Sequence, residues 1–232
     1  MKQGIRIWGL ILFFLIPAGM QAQTAEELVL KVKEKFDKVN DYEAKGKMKM
    51  NVTFIKAPVA TVKVYYKKPD KMKIHNESGI SLVPKGSINI SIANIIANAA
   101  ECDIIDAGKE EKTQLRVIKL LPRNEAADIV LSTLYIDEQQ LLIKKTKTTT
   151  KENGTYELEM TYGKYAEYGL ADKVVFSFNT KDYKLPKGVT FDYDDGTKKG
   201  DPKDKLKNKK GRVEISYSSY SINKGVADIV FQ

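Results

Sequence analysis

The stretch YEAKGKMKMNVTF, residues 42–54, decides the fold class of this 232-residue chain. Apolar or small side chains alternate with polar ones at all 13 positions, which is the period of a β-strand. A strand of this kind has one apolar face and one solvent-exposed face, as is typical of an antiparallel sheet. The sequence therefore predicts a long strand here, with its apolar face turned towards a core.

Similar patterns predict strands along most of the remaining chain. Asn153-Gly154 lies between two of them and is a typical type I′ hairpin sequence. Short turns between sequential strands indicate an antiparallel meander, because parallel strands need crossover connections. The fold is therefore predicted to be mainly β (α+β), an incomplete antiparallel β-barrel or strongly curved sheet of about ten to eleven strands. The other predicted strands are 60–67, 71–76, 113–120, 129–136, 140–150, 155–164, 173–180, 187–194 and 212–222.

An N-terminal helix is predicted to cap this sheet. Thr24 and Glu27 have the spacing of a capping box, in which each side chain accepts a hydrogen bond from the backbone of the other. Apolar residues then recur at helical spacing until about Asn40. These apolar residues are Leu28, Val32, Phe36 and Val39.

Residues 87–100, SINISIANIIANAA, have two interpretations. Ile88, Ile90 and Ile92 alternate as in a strand, whereas helical spacing relates a different set of isoleucines. We favour a helix from about Asn89 to Ala100, which would act as an apolar lid at the barrel mouth. The predicted lid residues are Ile88, Ile92, Ile95 and Ile96.

Residues 1–22 are predicted to be a cleaved signal peptide. Lys2 and Arg6 precede the apolar run 7–16, and small residues follow up to Ala22. A membrane anchor is the alternative, but the run is shorter than the roughly 20 residues that span a bilayer. We therefore expect an exported protein whose residues 23–232 form one domain, because neither an internal repeat nor a linker is evident.

Net charge indicates the kind of surface that the exported chain meets. The full chain carries a formal charge of +9, and loss of Lys2 and Arg6 leaves +7. For an exported protein, this charge favours anionic lipid headgroups and envelope polymers over nucleic acid. The polar segment 194–211 contains a lysine run and is predicted to be a solvated loop. Contact of this loop with an anionic membrane or partner is the alternative.

Candidate catalytic residues are few. The chain has one histidine and one cysteine, which excludes most metal sites and any framework of internal disulfides. It contains no nucleophile elbow, no H-E-x-x-H motif and no Walker loop. Cys102 and His75 would be the thiol–imidazole pair of an exported hydrolase, but a buried structural thiol is the simpler interpretation. We predict no enzyme activity, no metal and no cofactor, although paired carboxylates would escape this search.

The apolar face of the first strands is the predicted ligand-binding surface. Methionine adapts to ligands of variable shape, and curved sheets with flexible inward side chains enclose cavities. Packing against the N-terminal helix would explain the same pattern, and both interpretations remain open. The predicted lipid-binding cavity residues are Met48, Met50, Val52, Val62, Val64, Met72 and Ile74.

The layout of the chain resembles that of the outer-membrane lipoprotein carriers, the LolA/LolB-like family. The resemblance is carried by KKPDKMKI (67–74), IVLSTLYID (129–137), the hairpin at 139–165 and the closing segment 220–231. It implies a monomeric periplasmic carrier that shields the acyl chains of lipoproteins during transfer towards the outer membrane. Lys73 would replace the arginine that latches the lid in typical carriers.

The same resemblance implies partners and an alternative role. The implied partners are acylated lipoproteins or lipids, an inner-membrane lipoprotein-releasing transporter and an outer-membrane receptor, with no nucleic acid. An envelope lipid sensor, or a structural binding module of the same fold, is the alternative to a carrier.

Overall fold

A computed structural model describes residues 23–51, 59–77, 95–96, 98–152, 154–179 and 210–232. In these ranges, ten strands form one antiparallel sheet with the order β3-β2-β1-β10-β9-β8-β7-β6-β5-β4. The strands are β1 Asp41–Asn51, β2 Ala60–Lys67, β3 Lys71–Asn76, β4 Cys102–Lys109, β5 Arg116–Pro122, β6 Ile129–Asp137, β7 Leu142–Thr150, β8 Gly154–Thr161, β9 Lys173–Asn179 and β10 Lys210–Ile222. The sheet is curved and not closed, which confirms the predicted fold class.

An N-terminal α-helix and three short 3-10 helices accompany the sheet in the described ranges, where Ile95 and Ile96 are also helical. The helix α1 spans Ala25–Asp37, and the 3-10 helices are Asn98–Glu101, Ala166–Tyr168 and Asp228–Phe231. The capping box is confirmed, because the Thr24 side chain accepts from the Glu27 amide and Glu27 accepts from the Thr24 amide. The helix ends at Asp37 with Lys38 as its C-cap, slightly earlier than predicted. None of the described helices combines the length and hydropathy needed to cross a membrane.

The predicted strands agree with the structure wherever alternation is clean. The bounds of β2 and β3 are those predicted, and β1 follows the prediction to Asn51. Residues 52–54 and the predicted strand 187–194 lie outside the described residues. The predicted strand 113–120 begins later, at Arg116, because Gln114 has a φ of 59° in the turn between β4 and β5.

Two local predictions need correction. The sequence gives no strand signal at β4, because this edge strand buries little apart from Cys102 and leaves its last five residues exposed. The hairpin between β7 and β8 forms, but Thr150 pairs with Gly154, so its loop is longer than the two residues of a type I′ turn. Gly154 has a φ of 70°, a left-handed backbone conformation that glycine adopts readily.

One face of the sheet, which we call the inner face, carries a continuous apolar layer. Directly opposed residues of an antiparallel sheet share a face, so the registers define rows that run across the strands. One such row crosses from β1 to β5. It consists of Met50, Val213, Phe176, Leu158, Thr146, Leu134 and Ile118.

Buried apolar residues divide the inner face into two main clusters. The core cluster contains the apolar side of α1 together with residues of β4–β9. The methionine cluster is formed by β1, β2, β3 and β10. The main members of the core cluster are Leu28, Val32, Ile95, Ile96, Ile118, Leu120, Leu134, Ile136, Leu158 and Phe176. Those of the methionine cluster are Ala44, Met48, Ala60, Val62, Val64 and Ile215, with Met50, Met72 and Ile74 packed against them.

Candidate functional site

The predicted cavity residues come together in the methionine cluster. Met48 lies opposite Ala60 on β2 and Ile215 on β10. Val64 lies between Ala44 on β1 and Ile74 on β3. Val52 lies outside the described residues. The cluster therefore unites Met48, Met50, Val62, Val64, Met72 and Ile74.

Burial within the methionine cluster is graded. Val62 and Val64 are completely buried, and Met48 is 3% exposed. Met50, Met72 and Ile74 are half-buried and lie towards one end of β1 and on the edge strand β3. The cluster thus has a buried base and a more accessible rim that includes two flexible methionines.

The N-terminal helix packs elsewhere on the inner face. Leu28, Val29 and Val32 of α1 belong to the core cluster, and in the described residues no α1 side chain belongs to the methionine cluster. Packing against α1 was the alternative explanation for the methionine pattern. In the part of the chain that the structure describes, α1 does not explain that pattern.

The described part of the predicted lid also lies on the core cluster. Ile95 and Ile96 are helical and are 5% and 1% exposed, in the same cluster as Leu28 and Val32. The helical interpretation holds at these two positions, and a 3-10 helix follows from Asn98. Ile88 and Ile92 lie outside the described residues. Ile95 and Ile96, at the end of the predicted lid, therefore pack on the core cluster and do not belong to the methionine cluster.

Lys73 contacts the C-terminus. Its Nζ donates to the backbone carbonyl of Gln232 at 3.1 Å. Lys73 lies opposite Tyr65, on the other side of β3 from Met72 and Ile74. Its role as a lid latch stays a prediction, since most of the lid segment lies outside the described residues.

The C-terminal 3-10 helix is clamped to the outer face of β2 and β3. The carboxylate of Asp228 lies 2.8 Å from Lys71 Nζ and 3.0 Å from Lys67 Nζ. Hydrogen bonds from these lysines, strengthened by their charges, lower the pKa of the Asp228 carboxyl. The Lys71 ammonium also lies over the ring of Phe231, 6.0 Å from its centroid.

This clamp is expected to depend on pH. Because the folded-state pKa of Asp228 is lowered, its ion pairs stabilise the clamp above the ordinary carboxyl range and are lost as the pH falls through the lowered value. Asp228→Asn should therefore speed hydrogen exchange of the Val230 amide at neutral pH, and the difference from the native chain should vanish in acid. The matched variant Asp103→Asn, in an exposed pair with Arg123 on β4, should leave that amide unchanged. Equal Val230 exchange rates in the native chain and Asp228→Asn at neutral pH would contradict the clamp.

Cys102 and His75 do not form a catalytic pair in the described structure. His75 is exposed on the outer face of β3, opposite Lys63. Cys102 is buried on β4, at the other edge of the sheet, and its Sγ donates to the Asn98 carbonyl at 3.4 Å. Burial raises the pKa of the thiol, which keeps it protonated and unreactive. Among the described residues, no group of three or more His, Cys, Asp or Glu side chains could hold a metal ion.

Sequence reasoning missed a set of hydroxyl groups on the inner face, which we call the hydroxyl patch. It consists of Ser132, Thr146, Thr148 and Thr150, all of which are buried. Ser132 Oγ and Thr148 Oγ1 lie 3.1 Å apart and hydrogen-bond to each other. The signal was present in the run TKTTT, residues 146–150, where period two places alternate threonines on the buried face.

Comparison with known proteins identifies the fold. No protein-family model and no protein with a curated description matches this sequence. A solved domain from Vibrio parahaemolyticus, named for outer membrane lipoprotein sorting, is 11% identical with a TM-score of 0.53, over 90% of this chain and 97% of that one. A DUF1329 family protein from Desulfovibrio piger is 13% identical with a TM-score of 0.52, over 90% and 95%. A LolA superfamily protein from Nitrosomonas europaea is 9% identical with a TM-score of 0.52, over 91% and 98%.

Proposed function

We propose that this chain, which has a LolA-type fold, is a periplasmic carrier of acylated lipoproteins or related lipids. The inner face would shield their acyl chains during transfer towards the outer membrane. The observation that carries the proposal is the methionine cluster, a continuous apolar surface with a buried base and an accessible rim that includes Met50 and Met72. An inner-membrane lipoprotein-releasing transporter would load the carrier, and an outer-membrane receptor would unload it.

The hydrophobic effect supplies the driving force for such a carrier. Each methylene group withdrawn from water contributes about 0.8 kcal/mol, so an acyl chain needs a continuous apolar lining to cross an aqueous compartment. The row of opposed residues on the inner face runs from Met50 on β1 to Ile118 on β5 without a charged side chain. Binding, transfer and release need no covalent step, so the proposed carrier is not an enzyme.

The lid segment would compete with cargo for the same surface. Ile95 and Ile96 pack on the core cluster beside the methionine cluster, and acyl chains would lie across both clusters. The apparent affinity for cargo is then the affinity for the uncovered surface, reduced by the free energy needed to displace these side chains. Loading and release would therefore depend on the balance between lid contacts and cargo contacts.

Lipid extraction tests the proposed function directly. The protein, purified from the envelope without detergent, should carry co-purifying acyl lipids that mass spectrometry identifies after extraction. The delipidated protein should also take up a fluorescent triacylated lipopeptide from solution. Absence of both lipid and uptake would contradict the carrier function.

Weakening the lid should increase the apparent affinity for lipid. Ile96→Ala removes a fully buried side chain and should weaken the lid by about 2 kcal/mol. If the lid competes with cargo, the apparent affinity for the lipopeptide should then rise by up to about 30-fold. Fluorescence titration measures this change.

A control variant separates lid weakening from general destabilisation. Leu170→Ala removes a side chain of similar burial from the cluster around Val39 and Tyr66. It should lower the melting temperature without raising the affinity. Unchanged or reduced affinity in Ile96→Ala would show that these isoleucines are ordinary core residues.

A further inference from the structure

A buried hydroxyl without a partner marks a second feature of the inner face. Thr146 is completely buried, and in the part of the chain that the structure describes its Oγ1 has no hydrogen-bond partner. It lies directly between Leu134 on β6 and Leu158 on β8, both of them fully buried. Thr146 is therefore the one hydroxyl in the row from Met50 to Ile118. Valine has the same shape and would fit this place without an unsatisfied polar group.

The neighbouring hydroxyls of the patch already have partners. Ser132 Oγ and Thr148 Oγ1 lie 3.1 Å apart and hydrogen-bond to each other. Thr150 Oγ1 donates to the Gly154 carbonyl at 3.3 Å. Thr146 is two residues from Thr148 along β7, a separation of roughly 6.6 Å at the usual rise of a strand. The free donor thus lies next to a satisfied polar network, inside the apolar core cluster.

We propose that Thr146, a member of the hydroxyl patch, binds the carbonyl oxygen of the ester or amide group that joins an acyl chain to the rest of its lipid. This inference rests on the proposed carrier function and adds a polar subsite to it. An ester or amide carbonyl group lies at the head of an acyl chain. Its oxygen accepts hydrogen bonds and cannot donate them. A threonine hydroxyl donates one hydrogen bond, so the chemistry of the two groups is complementary.

The position of Thr146 fits this role. The row that contains it also contains Met50, so one straight path on the inner face connects the rim of the methionine cluster to the patch. Ile95 and Ile96 belong to the same core cluster as Leu134 and Leu158, which flank Thr146. Displacement of the lid segment would therefore open the core cluster that surrounds the hydroxyl. Once water is excluded, a hydrogen bond to a ligand carbonyl would satisfy a donor that has no partner among the described residues.

The test compares three lipids that share one chain length. A diacyl ester lipid and an N-acyl amide lipid carry the carbonyl, and a dialkyl ether lipid lacks it. The native protein should bind the ester or the amide about 5-fold more tightly than the ether, a factor typical of one net hydrogen bond. Thr146→Val should abolish this preference while ether binding stays unchanged. Thr146→Ser, which keeps the hydroxyl, should retain it.

Stability gives an independent readout of the same substitution. Because Thr146→Val removes an unsatisfied buried hydroxyl, it should raise the melting temperature of the empty protein by about 2–4 °C. Thr133→Val is the matched control, since Thr133 is a buried threonine of β6 on the other face, opposite Lys119 and Lys147. It should leave the carbonyl preference intact.

The outcomes separate this subsite from the carrier function. If Thr146→Val loses only the preference for the ester or only the preference for the amide, the result supports the subsite and identifies the linkage that it binds. An unchanged preference in Thr146→Val, or equal weakening of all three lipids, would overturn the subsite alone. If the native protein binds none of the three lipids, the carrier function fails and the subsite fails with it.

Discussion

Gly46→Val is expected to destabilise the protein by about 3 kcal/mol or more and to abolish lipid binding. Gly46 lies on the inner face of β1, where the register with β10 shifts between Lys45 and Gly46. A Cβ atom there would lie 2.6 Å from the backbone oxygen of Ser216 and 3.3 Å from Cα of Tyr217. These are backbone atoms of the neighbouring strand, so a change of rotamer cannot relieve the clash.

The expected loss is large because of where Gly46 lies in the sheet. The pairing of β1 with β10 is the only connection, in the described sheet, between β1–β3 and the other seven strands. Moving the two strands apart would separate the methionine cluster, which includes residues of both. Urea unfolding measures the change in free energy.

A matched control uses the same new side chain on the same strand. Lys47→Val lies on the exposed outer face of β1 and should change stability by no more than about 0.5 kcal/mol. A Gly46→Val protein that unfolds at the same urea concentration as the native chain would contradict the close approach of the two strands.

Leu158→Ala is the second substitution with a large expected effect. Leu158 is completely buried in the core cluster, opposite Phe176 on β9 and Thr146 on β7. Its truncation should leave a cavity and lower the free energy of unfolding by about 2–5 kcal/mol. Thermal and urea unfolding measure this loss.

A paired variant on the same row tests the division of the inner face. Met50 is half-buried at the rim of the methionine cluster, so Met50→Ala should lower stability by less than about 1 kcal/mol but weaken lipopeptide binding. The two variants together distinguish a packed core from a binding surface. Equal losses of stability in both would show that the methionine cluster is ordinary core.

Local signals in the sequence predicted much of this fold. The capping box at Thr24 and Glu27 depends on residues three apart, and the alternation in β1, β2 and β3 depends on residues two apart. Alternation also assigns each side chain to a face, which is why six predicted cavity residues meet in one cluster. The edge strand β4 escaped prediction because it buries too little to alternate.

The candidate site was less accessible to sequence reasoning. Periodicity showed that both α1 and the strands have apolar faces, but two such faces can be combined in more than one way. The structure pairs α1 with the core cluster and leaves it out of the methionine cluster in the described residues. Lys73 was predicted to latch the lid, whereas its described contact is with Gln232, 159 residues further along the chain.

The sequence by itself determined the elements of this protein and the face on which each side chain lies, because periodicity and capping act over a few residues. Only the tertiary structure decided which faces meet. Thr146 shows the difference. The alternation in β7 places it on the buried face, but its lack of a hydrogen-bond partner among the described residues follows from Leu134 and Leu158 on the neighbouring strands. Contacts between strands depend on register and sheet order, which residues distant in sequence determine together.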